Sequence, residues 1–407
     1  MSASVRITHR APRPRARHQR RGGWLAARFD HQPGVYDVRP QLANSLSANS
    51  PSAQSWRAAC VALAVFALIA TVAPVTVRCC LAGETEAKYL DNIHQVTEGF
   101  TKAGEGYFSP DGGTIIYQAV PRDYMFYQIY TQELADGQVR RISPGRGRTT
   151  CAYFAPSGDK VIFASSHLDP QIDATEQAER DQLAEDAKTG RRRRYNWDFD
   201  PYLDIFEATP DGSELRQLTD SPGYDAEGSY SPDGSQIVFC SDRDGDPDLY
   251  IMDADGGNVR QLTNAPGYDG GPFFSPDGEW VVFRSDRKKE GFLQIYVIRT
   301  DGTQETALTD NNGVNWAPYW HPTKPLIIWA GADHSNPQAR PNYDLWMLEY
   351  DVTDDGFIAS EPIRVTDAEA ADVLPVFSPD GQRLMWTSTR TDDHSSQLWI
   401  GDFKYDE

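Results

Sequence analysis

The residues of this chain best placed to do chemistry are carboxylates that recur at one spacing. Six related tetrapeptides punctuate the sequence: SPDG at Ser109, Ser231, Ser275 and Ser378, APSG at Ala155 and HPTK at His321. Six residues before them stand Ala103, Thr149, Asp225, Asp269, Asn315 and Asp372, with Glu105 and Glu227 two residues further on and Trp316 beside Asn315. Carboxylates converging from several repeats repel one another unless something cationic stands between them. Oxygen donors without Cys or His suit Ca²⁺ or Mg²⁺ rather than zinc. If a metal is held, Asp225, Asp269 and Asp372 are its candidate ligands and calcium its candidate identity. The competing reading needs no cofactor: each Gly-Tyr-Asp run, at 223–225 and 267–269, is a turn whose Asp caps backbone N–H groups.

Positioning these residues requires a repeated unit, and the spacing defines one. Twelve residues upstream of each tetrapeptide an LT-like strand ends, at Thr97, Ser143, Thr219, Thr263, Thr309 and Thr366. Ten residues downstream an apolar run ends, at Ala119, Ser165, Ser241, Ser285, Gly331 and Ser388. The third copy reads as four strands near 228–231, 236–240, 248–253 and 259–263, joined by tight PDG and DADGGN turns. Four-stranded units repeated at this spacing are the signature of a β-propeller. The blades fall at about 106–143, 151–219, 227–263, 271–309, 317–366 and 374–403. The last copy lacks its LT strand, and residues 93–97 (IHQVT) supply it, closing the ring with the two chain ends in one blade.

Some recurrences read as architecture. Gln128, Asp204, Asp248, Gln294, Asp344 and Gln397 open the third strands, and Arg243, Arg287 and Arg390 repeat in S-x-R as ties between neighbouring strands. SDRDGDPD at 241–248 lacks the downstream Glu of an EF-hand. His321 takes the Ser place of SPDG, and of the histidines only His167 and His334 lie in enlarged loops.

Charge and hydropathy bound the rest. The net charge is −20, but residues 1–82 hold eleven Arg and two Asp, leaving −29 on the remainder. Such a domain repels nucleic acid. Residues 1–56 read as a disordered basic tail. Ala58–Val77, within a segment 57–82, is uncharged and long enough to span a bilayer, as an anchor or as a signal peptide cleaved after Ala82. Either form exports the propeller to the periplasm or cell surface, and an uncleaved form ties it to the membrane. Residues 83–90 read as a linker. Cys151 and Cys240 form no disulfide framework.

The series SPDGSQIVFCSDRDGDPDLYIMDADGGNVRQLT resembles the propeller repeat of the TolB family, seen also in the propellers of prolyl oligopeptidase-like peptidases. The resemblance covers residues 93–403. It implies an all-β, six-bladed fold without the α/β domain that precedes the propeller in TolB, and without a hydrolase domain. No G-x-S-x-G elbow is present, and no catalytic residue is assigned.

Loop lengths select the working face. Second and third strands are joined by a short turn in the third blade, by an insertion at 169–200 in the second, and by a longer loop at 331–344 in the fifth. Both enlargements emerge on the face that carries the links between blades, which marks it as the binding face. The insertion reads as a lid, with Arg191 and Arg194 bounding a basic run and Tyr195, Trp197 and Phe199 resting over the channel mouth; a solvated flap is the alternative. The function expected is recognition of an envelope protein or peptide. The alternative is a metal-assisted, lyase-like enzyme acting on saccharide at the same mouth.

Overall fold

The computed structural model describes residues 83–191, 199–336, 338–339, 341–354 and 356–405. They form six antiparallel sheets in chain order, each running outward from an inner strand. The inner strands are Lys102–Phe108, Thr149–Phe154, Asp225–Tyr230, Asp269–Phe274, Gly313–Trp320 and Asp372–Phe377, and each packs against its two neighbours around a central axis. The fifth blade carries an additional hairpin strand, Gly356–Ala359. The sixth is completed by the first strand, Leu90–Gln95, which pairs antiparallel with the last, Gln397–Phe403.

Two side-chain devices explain the repeated letters. The hydroxyl ending each LT-like strand accepts a hydrogen bond from the second residue of the third strand: Ile129 N to Ser143, Ile205 N to Thr219, Leu249 N to Thr263, Ile295 N to Thr309, Leu345 N to Thr366 and Leu398 N to Thr97, at 2.9–3.0 Å. In the SPDG turns, Ser231 Oγ donates to Asp233 at 2.6 Å and accepts from Gln236 N at 3.0 Å, while Gly234 takes φ 72°. His321 is also an acceptor in its turn, but from nearer donors: Thr323 N and Lys324 N donate to its Nδ1 at 3.2 and 3.0 Å. Burial lowers this imidazole to about 4, so it stays neutral and able to accept.

Second strands read as continuous apolar runs because neighbouring blades cover both faces. Trp280–Ser285 is buried at all six positions, and Trp280, Trp329 and Trp386 are among the largest fully buried side chains.

Residues 83–90 are not a simple linker. They hold one helical turn, α1 (Glu86–Tyr89), whose Glu86 is fully buried against Arg390, and Asp367 accepts from Thr85 N and Glu86 N. No described helix is long and apolar enough to cross a membrane; Ala58–Val77 and the basic tail lie outside the described residues.

Candidate functional site

The inner strands begin up to four residues earlier than the turn signals suggest, and the added residues build the site. Each inner strand breaks register with its second strand at one place, between 104 and 106, 150 and 153, 226 and 229, 270 and 273, 316 and 319, and 373 and 376. The bulged residues are Glu105, Cys151, Glu227, Gly271, Ala317 and Leu374, four before each tetrapeptide, and all six have φ between 46° and 60°. A non-glycine residue there costs about 1–2 kcal/mol, so five such residues at one level mark a constraint of the ring, not of local sequence. A bulge re-aims its side chain, and all six residues line one cavity of about 1850 Å³ around the axis.

The floor of this funnel is aromatic. Two residues before each tetrapeptide stand Tyr107, Tyr153, Ser229, Phe273, Tyr319 and Val376. Tyr107 of the first blade meets Phe273 of the fourth at 5.6 Å between centroids, and Tyr153 of the second hydrogen-bonds Tyr319 of the fifth, OH to OH, at 3.1 Å. These are opposite blades, so the rings fill the axis at that level. The cavity opens toward the enlarged loops and is blocked toward the SPDG turns.

One wall holds a saturated carboxylate. Glu227 accepts from Tyr224 OH at 2.9 Å, Tyr268 OH at 2.8 Å, Gly271 N at 2.5 Å and Arg284 Nη2 at 2.9 Å. Gly271 is required here, because a Cβ would stand 2.1 Å from Arg284 Nη1. Glu105 is served less well: its side chain has the Tyr107 hydroxyl at 3.5 Å and the Cys151 thiol, and burial, together with the charge of Glu227, pushes its carboxyl up to about 7. Burial likewise raises the Cys151 thiol.

Residues 198–263 and 244–342 match the TolB beta propeller domain. The repeats are TolB-like propeller repeats. A TolB homolog of Chlorobium luteolum is 27% identical over 139 residues, which is 31% of this chain and 32% of that protein. The Tol-Pal system protein TolB of Bordetella pertussis is 51% identical over 39 residues, 10% of this chain and 9% of that one. The matches thus span a third or less of these curated relatives. The structure of TolB from Acinetobacter baumannii is similar at a TM-score of 0.47 and 18% identity, over 75% of this chain and 65% of that one.

Within this TolB-like propeller, the residues singled out by spacing divide. Glu105, Glu227 and Trp316 line the funnel. Asp225, Asp269 and Asp372 do not converge there. Each lies within its inner strand, fully buried, and is bound by the S-x-R arginine of its own blade: Arg243 at 3.0 Å, Arg287 at 2.6 Å and Arg390 at 2.6 Å. Each has at least one oxygen held by a guanidinium, and the three stand in separate blades. The repeats themselves carried this signal. Blades with Ala103, Thr149 and Asn315 have Pro121, His167 and Asp333 in place of the arginine. Asn315 is instead held by Trp329 Nε1 at 3.0 Å and donates to Gln294 at 3.1 Å. The third-strand position follows the same rule: Asp204, Asp248 and Asp344 precede blades with an Asp–Arg pair, and Gln128, Gln294 and Gln397 precede those without. Burial and the neighbouring Asp269 push Asp248 up to about 7.

The insertion forms α2 (Ile172–Thr189), ended by Gly190 at φ 68°. It has no apolar stripe and docks through Glu176, which accepts from Tyr124 OH at 2.7 Å and Gly147 N at 3.3 Å. Glu179, Leu183, Asp186 and Arg191 reach the cavity rim, with Leu183 44% exposed. Phe199 meets Tyr224 and Tyr268, the tyrosines that serve Glu227, at 5.1 and 5.8 Å. Arg194, Tyr195 and Trp197 lie outside the described residues. The histidines of the enlarged loops are engaged elsewhere: His167 bonds Ser165 and packs on Phe206, and His334 faces Phe292 and Tyr343. Among the described residues neither lines the funnel, whereas His394 of the sixth blade does.

Proposed function

We propose that this propeller works by binding, taking an extended segment of an envelope protein or peptide into the funnel from the α2 face. The observation that carries this reading is the blocked funnel itself. Its volume of about 1850 Å³ exceeds the roughly 300–1,000 Å³ of small-molecule sites, and its rim carries exposed Leu183 and Arg191. The Tol-Pal naming of the Bordetella relative supports an extracytoplasmic setting, as does the uncharged 58–77 segment. Pairing of the first and last strands then serves as the clasp that closes the ring.

The test selects displayed peptides on the purified chain and measures their affinity by calorimetry. Leu183→Glu and Arg191→Glu are expected to weaken the selected peptides about tenfold or more, while Glu279→Lys on the opposite face leaves them unchanged. Selection that yields no peptide, or peptides indifferent to the rim substitutions, refutes the reading.

A further inference from the structure

Among the described residues, charge at the base of the funnel does not balance. Arg284 is bonded to Glu227 and to the Tyr268 hydroxyl. Glu105 stands apart on the first blade. The groups facing it are Tyr107 on its own strand, Cys151 of the second blade, Glu227 of the third and Arg284 of the fourth, while its backbone N–H is held by Thr387 of the sixth. Among the described residues two carboxylates therefore share one guanidinium, an excess of one negative charge in a confined space. Such an excess is costly unless it is neutralised. Burial and the Glu227 charge push the Glu105 carboxyl up to about 7, which favours its neutral form.

The surroundings say what kind of cation would replace that proton. A calcium ion needs six to eight oxygens. Glu105 offers two, those of Glu227 are taken, and the rest of the bulge ring is Cys151, Gly271, Ala317 and Leu374. What the site has in quantity is aromatic surface: Tyr107, Phe273 and Tyr319 lie mutually within 5.0–6.2 Å and all line the cavity. A carboxylate in an aromatic-walled cavity suits an organic ammonium group, whose charge is attracted by the ring quadrupoles as well.

We propose that the base of the funnel is a subsite for one ammonium group of a peptide, its N-terminus or a lysine side chain, held by Glu105 among the rings of Tyr107, Phe273 and Tyr319. The proposal rests on the peptide-binding reading and names the chemistry of the ligand's inserted end. Binding displaces a proton from Glu105, so affinity rises as pH passes upward through the Glu105 range; it then levels off for a lysine ammonium and falls again for an amino terminus, which loses its own proton at about pH 8.

The experiment uses the full chain and three amidated tripeptides of alanine: one acetylated and neutral, one with a free amino terminus, and one acetylated with a central lysine. Calorimetry in buffers of different ionisation heat, at about pH 6 to 8, reads affinity and proton release together. The charged probes should bind at about 1 mM or tighter, tenfold better than the neutral one, with proton release near pH 7. Whichever charged probe binds more tightly identifies the source of the ammonium group. Glu105→Gln should abolish both the charge preference and the proton release, and Tyr319→Leu should weaken binding while keeping the proton release. Equal binding of charged and neutral probes, or charge preference surviving in E105Q, overturns the proposal. So does calcium chloride displacing the peptides from the native chain but not from E105Q. If display-selected peptides bind native chain and E105Q alike, the subsite falls and the peptide-binding reading stands; if selection fails altogether, it is that reading which falls.

Discussion

Arg390→Met tests whether the segment before the first strand is part of the folded propeller. Arg390 is 6% exposed and bonds two fully buried carboxylates, Asp372 Oδ2 at 2.6 Å through Nη2 and Glu86 Oε1 at 2.9 Å through Nη1. Removing one partner of a buried ion pair costs about 3–5 kcal/mol, because the other charge remains desolvated. The third blade supplies an internal control. Arg243 is 22% exposed and serves one buried carboxylate, Asp225, so Arg243→Met belongs at about 3 kcal/mol and Arg390→Met at about 5 kcal/mol or above. With about 2 °C lost per kcal/mol in a chain of this size, thermal unfolding followed by circular dichroism should separate the two by several degrees. Adding Glu86→Gln to Arg390→Met should recover part of the loss, since an amide tolerates burial better than an unpaired carboxylate. Trypsin should also cut at Lys88 sooner in Arg390→Met, as α1 loses its anchor. Equal destabilisation of Arg390→Met and Arg243→Met, with no recovery from Glu86→Gln, would show that Glu86 is energetically idle and refute the reasoning.

Two further outcomes follow from the same interblade geometry. Burial and then the Asp269 charge raise the folded-state pKa of Asp248 to about 7, so its contribution favours the fold at low pH and is lost as pH rises through that value. Asp248→Asn should therefore leave the melting temperature unchanged below about pH 4, raise it increasingly between there and the folded-state value, and give a constant gain above; a gain independent of pH contradicts this. Gly271→Ala places a Cβ 2.1 Å from Arg284 Nη1 at φ 57°, and should cost about 1–3 kcal/mol by thermal melt while displacing Arg284 from Glu227. A neutral Gly271→Ala would show that the bulge ring adjusts freely.

The repeat spacing was enough to place six blades, because a hydrogen-bonded turn and a hydroxyl acceptor each need their own residue at a set distance. Ser231 and Thr219 recur for reasons local to one sheet. It also indicated which face carries the enlarged loops, since strand order alone puts 169–200 and 331–344 together. The Asp–Arg pairing was present in the repeats as well: Asp225, Asp269 and Asp372 accompany Arg243, Arg287 and Arg390, and no other blade has either residue. Read blade against blade, that pattern assigns these aspartates to internal ion pairs.

The funnel was decided elsewhere. Glu105, Cys151, Glu227, Gly271, Ala317 and Leu374 have no one chemistry in common, yet all take positive φ. Five of the six are residue types that avoid this conformation in isolation. Closing six twisted sheets around one axis crowds the inner strands, and the bulge relieves that crowding at a common level whatever residue stands there. Side chains far apart in the chain then meet: Glu227 with Arg284, Tyr153 with Tyr319. Sequence by itself determined the blades, their number and the face on which they are elaborated, through local hydrogen bonding. Only the closed ring decided which side chains look into the channel and which are spent holding it together.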